Sequence, residues 1–211
     1  MAKYVSEFLG AAILFCAVVG SGIMGQNLSP ENDQVTLLAN TLATVFALYF
    51  LISSFQPFST HFNPAVSFVF CLKGEISVRT CTVFVVLQIT GAVAGVMLAN
   101  YMFGIDAVDF SEKGRSGTNL FVSEIFATFG LLLIILLSSK EKVAAGVAAY
   151  IGGAYWFTSS TSFANPAGTI GRAFSNTFAG ISPDDVIAFC AAQIIGAMLA
   201  YLLYRKVFSK T

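Results

Sequence analysis

The feature that most constrains this chain is its series of long apolar stretches: Tyr4–Gly25, Val35–Phe55, Thr80–Phe103, Asn119–Ser138, Val143–Ser160 and Val186–Tyr204. Each is near the length of roughly 20 residues that a helix needs to cross a bilayer. Apolar residues make up 56% of the sequence and charged residues 10%, against about 25% charge in an average soluble domain. Membrane lipid is the solvent that suits such a surface. The reading is therefore an all-α membrane protein with six transmembrane helices. The first stretch contains Glu7 and exceeds a signal-peptide core, so it reads as a retained span.

Two shorter apolar segments, Pro64–Leu72 and Pro166–Phe174, cannot span. Each begins with Pro directly after Asn. Asn is a strong helix N-cap, and Pro suits the first helical position because its missing N–H would have no partner there. These segments predict two re-entrant half-helices, starting abruptly inside the apolar region.

Lys and Arg set the orientation. Six spans put Lys3, Lys73, Arg79, Lys140, Lys142, Arg205, Lys206 and Lys210 on one side, and Lys113, Arg115 and Arg172 on the other. The positive-inside tendency then places both termini in the cytoplasm of a plasma (inner) membrane protein. The two halves also resemble each other. Ser6-Glu7 matches Ser123-Glu124, Asn63-Pro64-Ala65 matches Asn165-Pro166-Ala167, and Gln88-Ile89 matches Gln193-Ile194. This predicts a single channel domain over residues 1–211, built of repeats at about 1–104 and 117–211. With three spans each, the second repeat must lie inverted. Interrupted helices at matching places in inverted repeats point to a transport site near the midplane.

Non-helical backbone at that depth must be buried in protein or line a wet cavity. The half-helix N-termini carry unpaired N–H groups and partial positive charge, which disfavours cations where they meet. Asn63 and Asn165 can cap these helices and also donate to a neutral solute. Net charge is zero, which argues against nucleic acid as a partner. Cys16, Cys71, Cys81 and Cys190 are scattered, and no metal spacing, cofactor motif or nucleophile–base pair suggests an enzyme.

The residues His61-Phe62-Asn63-Pro64-Ala65-Val66, Asn165-Pro166-Ala167, Glu7 and Glu124 resemble the aquaporin (major intrinsic protein) family over nearly the whole chain. The resemblance implies a homotetramer of six-helix protomers, each with a pore for water or small neutral solutes. It implies that Glu7 and Glu124 brace the re-entrant loops, and that His61 lines or braces the cytoplasmic vestibule. Water-selective members carry Arg just after the second Asn-Pro-Ala, a His on the fifth span and an aromatic on the second. Matching those positions gives Gly168, Gly152 or Gly153, and Ala43 flanked by Leu42 and Thr44, with Ser162 as the fourth filter position. A filter of Ala43, Gly153, Ser162 and Gly168 would be wide, and pore diameter and lining donors set selectivity. Glycerol-like polyols, urea and metalloid hydroxides such as arsenite become candidates. In this respect the chain resembles bacterial members that lack the filter arginine.

Two questions stay open at this level. Arg172 lies one turn beyond Gly168 and either lines the outer mouth or pairs with Asp184, Asp185 or interfacial groups. A coupled secondary transporter also uses inverted repeats and broken helices. Coupling would have to use Glu7 and Glu124, the acids within the spans.

Overall fold

A computed structural model describes residues 1–209. Lys210, counted above among the cytoplasmic cations, lies outside the described residues. The helices are α1 (Ala2–Leu28), α2 (Asp33–Phe55), α3 (Pro64–Leu72), α4 (Val78–Met102), α5 (Thr118–Leu137), α6 (Val143–Phe157), α7 (Pro166–Arg172) and α8 (Pro183–Leu203), with a π-helical turn at Tyr204–Phe208. Helix starts follow local chemistry. The Asn32 side chain accepts from the Val35 N–H at α2, and Ser77 accepts from Thr80 at α4. Ser182 caps α8, with Pro183 in the first turn. Each satisfies a donor that the first turn leaves unpaired.

Among the described residues, α1, α2, α4, α5 and α8 are long and apolar enough to cross a membrane. The fifth expected span is shorter than its apolar stretch. α6 ends at Phe157 after 15 residues, about 22 Å of helix at 1.5 Å per residue. Its chain continues through Thr161, Ser162 and Ala164, all with positive φ, which a right-handed helix does not admit. Thr158, Ser159 and Ser160, which the expected span included, belong instead to the descent toward α7. The second half-helix likewise stops at Arg172 rather than Phe174, while α3 has the expected bounds.

The two halves pack alike. α1 packs on α4 as α5 packs on α8, and α1 on α2 as α5 on α6. Across the halves, α4 holds α7, α8 holds α3, and α2 meets α6. Close approach rests on glycine. A Cβ on Gly91 would stand 2.4 Å from the Phe8 carbonyl oxygen, and one on Gly95 2.0 Å from that of Ala12. In the other half, a Cβ on Gly196 would lie 2.3 Å from the Ile125 oxygen. Small residues let helix backbones touch where lipid provides no hydrophobic drive for association. The start of α1 and the end of α8 lie at one end of the bundle. Tyr201 donates to the Leu72 carbonyl at 3.2 Å, and Lys73 lies over the Tyr204 ring, near the cavity mouth that Lys3 also lines.

Candidate pore and its polar lining

The centre of the molecule is organised by Phe62 and Ala164, the residues before the two capping asparagines. Both have left-handed backbone, with φ of 48° and 47°. Such a conformation costs about 1–3 kcal/mol in a residue with a side chain and needs outside support. Buried carboxylates supply that support. Glu7 accepts from the His61 N–H at 2.9 Å and the Phe62 N–H at 2.7 Å. It also accepts from Ser59 Oγ and Gln88 Nε2. Glu124 does the same for the Phe163 and Ala164 N–H groups, both at 2.9 Å, and accepts from Gln193 Nε2 at 2.7 Å. Both glutamates are fully buried, and donors on all sides replace the water they lost.

The carbonyls of the same two residues are held from the opposite half. Asn63 Nδ2 donates to the Ala164 carbonyl at 2.8 Å, and Asn165 Nδ2 donates to the Phe62 carbonyl at 2.9 Å. Each Asn Oδ1 meanwhile caps its own helix, accepting from Ala65 in one case and from Ala167 and Gly168 in the other. One N–H of each amide is thus spent across the interface, leaving a second for the space the two residues border.

That space is a cavity of about 740 Å³. At the end holding the chain termini it is bordered by Lys3, Lys73, Glu75 and Lys140; Lys73 and Glu75 pair at 2.6 Å. His61 lies inside this mouth, with Nδ1 3.0 Å from Ser67 Oγ and its ring 4.7 Å from that of Phe70. Asn63 and Asn165 border the middle, and Tyr155, Ser162, Phe163 and Arg172 border the other end. Leu14, Phe15, Val18 and Leu48 contribute an apolar wall.

Of the four positions expected at a constriction, Ser162 borders this cavity. Ala43 lies instead in an outward groove between α1, α2 and α4. Gly153 is exposed and faces the Phe157 ring; its neighbour Gly152 packs on Val45. Gly168 is buried behind Phe15, whose ring carbons would stand 2.2 Å from an added Cβ. The residues that take these places in the lining are Thr44, Tyr155 and Phe15. Tyr155 Oη donates to Thr44 Oγ1 at 3.2 Å, joining α6 to α2. Counting back from Asn165 missed Tyr155 because the chain between α6 and α7 turns repeatedly through positive φ. Thr44, one residue from the expected position, carried a signal in its polarity on an apolar helix.

Arg172 is 5% exposed. Nε donates to the Ala179 carbonyl, and the guanidinium carbon lies 3.3 Å from the Phe163 ring centroid. Among the described residues it forms no ion pair with Asp184 or Asp185. Asp185 instead accepts from the Arg115 N–H at 2.6 Å. Arg115 also lies over the Phe163 ring, at 4.7 Å from its centroid, and donates to the Gly180 carbonyl. Burial lowers Arg115 to about 10, so it remains a cation at neutral pH.

Membrane-crossing helices, two half-helices meeting head to head, and a cavity running past both define an all-helical transmembrane channel. The chain belongs to the major intrinsic protein family, whose model matches residues 1–152. It is 46% identical over 207 residues to the aquaglyceroporin AqpS of Rhizobium meliloti (strain 1021), covering 96% of this chain and 88% of that protein. It is 30% identical over 222 residues to aquaporin TIP1-2 of Musa acuminata, covering 96% and 85%. The solved aquaglyceroporin from Plasmodium falciparum shares the fold, with a TM-score of 0.78 at 20% identity over 99% of this chain and 97% of that one.

Proposed function

We propose that this protein is a passive channel for water and small neutral solutes such as glycerol, and not an enzyme. The observation that carries this reading is the paired asparagine arrangement. Each amide is fixed by one N–H to the opposite loop, and both asparagines border the cavity. A fixed donor flanked by apolar wall suits a neutral solute that accepts hydrogen bonds and sheds little water. Similarity to an aquaglyceroporin along nearly the whole chain supports the same class. Urea and metalloid hydroxides such as arsenite belong to the proposed range as small neutral hydrogen-bonding solutes, although Thr44, Tyr155 and Phe15 line the cavity in place of the wide filter expected from Ala43, Gly153 and Gly168.

Ion-coupled transport is not favoured. It needs titratable groups that face the solute, and the carboxylates of Glu7 and Glu124 are each engaged by three or more donors from the loops and α4 or α8. We further infer a single channel domain of two inverted repeats. It sits as a homotetramer in the plasma (inner) membrane, both termini cytoplasmic.

Stopped-flow light scattering on proteoliposomes, comparing water, glycerol, urea and arsenite, tests the reading. Fluxes that run down each solute's own gradient and ignore imposed proton or sodium gradients are expected. Uphill accumulation of any solute on such a gradient would overturn it.

A further inference from the structure

Two of the four cysteines are neighbours in space. Cys71 lies in the last turn of α3 and Cys81 in the first turn of α4, with the turn 73–77 between the helices. On α3, Ser67 and Cys71 are four residues apart and share a face; on α4, Cys81, Phe84 and Gln88 recur at helical spacing. These are the faces that meet. Gln88 Nε2 donates to Ser67 Oγ at 2.8 Å, and the Phe84 ring stands edge-on to His61, with centroids 5.6 Å apart. Nearer the turn, the same two faces bring the Cys71 and Cys81 thiols into hydrogen-bonding contact. Cys16 and Cys190 lie elsewhere, in the outward groove beside α1 and on α8.

Both cysteines of the pair are uncrosslinked and half-buried, so an incoming reagent can reach them. The proposed orientation puts this end of the bundle in the cytoplasm, where thiols stay reduced. Two thiols are too few for a structural zinc ion, which takes four ligands, and no cluster of three or more His, Cys, Asp or Glu side chains occurs among the described residues. Copper(I) held by two thiolates would leave a net negative charge in half-buried surroundings, which burial penalises. A trivalent arsenic centre fits the pair better. It is soft and takes sulfur ligands. With one position kept by hydroxide or an organic group, it has two left for thiols, and the product is neutral.

We propose that Cys71 and Cys81 form a dithiol site for a trivalent arsenical. Each Sγ displaces one hydroxide from arsenic. The S–H and As–O bonds break, an As–S bond forms, and the thiol proton leaves with the hydroxide as water. Arsenious acid, As(OH)3, thus gives a bis-thiolate arsenic hydroxide and two waters; arsenic stays trivalent, and nothing is oxidised or reduced. The adduct bridges the end of α3 to the start of α4, next in sequence to Phe70, which borders the pore cavity. The site does not depend on which solutes the pore passes.

The test uses the full chain in detergent, reduced with a thiol-free phosphine and then exposed to phenylarsine oxide, which loses its oxygen as water on binding two thiols. Intact-protein mass spectrometry is expected to show one phenylarsenic per chain. The adduct should survive excess 2-mercaptoethanol, a monothiol, and be stripped by dithiothreitol, a dithiol. Peptide mapping should place it on Cys71 and Cys81. Cys71→Ser and Cys81→Ser are each expected to weaken binding by about a hundredfold, because the second sulfur no longer closes the chelate. Cys16→Ser combined with Cys190→Ser should leave it at the wild-type level. Reduced wild-type protein that takes up no arsenical would overturn the site. So would an adduct that the monothiol removes, or one that maps to Cys16 or Cys190. The mapping is done on wild-type protein, so it decides the matter even if a variant does not fold.

Discussion

The Phe15 ring of α1 stands where a side chain on Gly168 of α7 would have to go, 2.2 Å from an ideal Cβ. A gap in the filter pattern is therefore not empty space. Position 168 is glycine because an aromatic from another helix has taken the room.

Gly168→Arg alone is expected to fold poorly, since the new side chain displaces a packed ring and overpacking costs about 1–3 kcal/mol or more. Phe15→Ala combined with Gly168→Arg is expected to recover much of that loss and to pass less glycerol relative to water. Thermal unfolding midpoints in detergent and paired flux measurements check this. A single Gly168→Arg variant as stable as wild type would contradict the packing assigned to Phe15.

Glu7→Gln and Glu124→Gln turn an acceptor-only group into one that presents N–H to N–H. Each leaves a buried backbone donor of the left-handed segment unpaired, at a cost of about 1–3 kcal/mol. Both variants are expected to lower the unfolding midpoint and reduce water flux together. Glu7→Gln should cost more, because its carboxylate accepts from four donors against three at Glu124.

Asn165→Asp keeps the cap on α7 but deletes the donor to the Phe62 carbonyl and adds a negative charge beside the cavity. Cation conductance in planar bilayers is expected to rise, by roughly tenfold for a unit charge in a partly dry passage. Conductance equal to wild type would mean that this amide does not govern ion passage.

Gly95 touches the α1 backbone more closely than any side chain permits, an added Cβ falling 2.0 Å from the Ala12 oxygen. Gly95→Ala is expected to destabilise the α1–α4 packing by about 1–3 kcal/mol. Gly95→Leu should abolish folding. Yield of monodisperse protein in detergent and its unfolding midpoint report the effect.

Burial, with Arg115 nearby, lowers the Lys113 ammonium to about 8. Lys113 lies in the loop between α4 and α5 and donates to the Phe178 carbonyl at 2.9 Å. The unfolded chain holds this proton up to the ordinary lysine value near 10.5. Between about pH 8 and 10.5 the unfolded state therefore binds more protons, and this group's contribution makes stability rise with pH. Below pH 8 both states are protonated and the slope vanishes. Unfolding midpoints across pH 7–11 are expected to show a component that Lys113→Gln removes; partial solvent exposure keeps it small.

Much of the fold was legible from residues. Apolar length located the spans, and Asn followed by Pro located both half-helix starts to the residue, because capping chemistry is local. Glu7, Glu124, Gln88 and Gln193 were visible as polar groups repeated in two apolar halves, and the structure makes each pair part of a matching network. Arg172 could not be assigned from sequence. Whether it met Asp184, Asp185 or the cavity depended on where the 173–182 loop ran; that loop brings the Ala179 carbonyl to it, and Arg172 borders the cavity.

The sequence by itself determined that this chain crosses a membrane, where its half-helices begin, and that two asparagines meet at its centre. Each follows from hydrophobic length, local capping and internal repetition. The tertiary structure alone decided which side chains border the cavity. On a helix each residue turns about 100° from the last, so an error of one or two positions moves an expected lining residue to the lipid side. That happened at Ala43 and Gly153, whose places are taken by Thr44 and Tyr155. The Phe15 ring beside Gly168 and the Arg172 side chain bordering the cavity both depend on contacts between α1, α7 and a loop far apart in the chain.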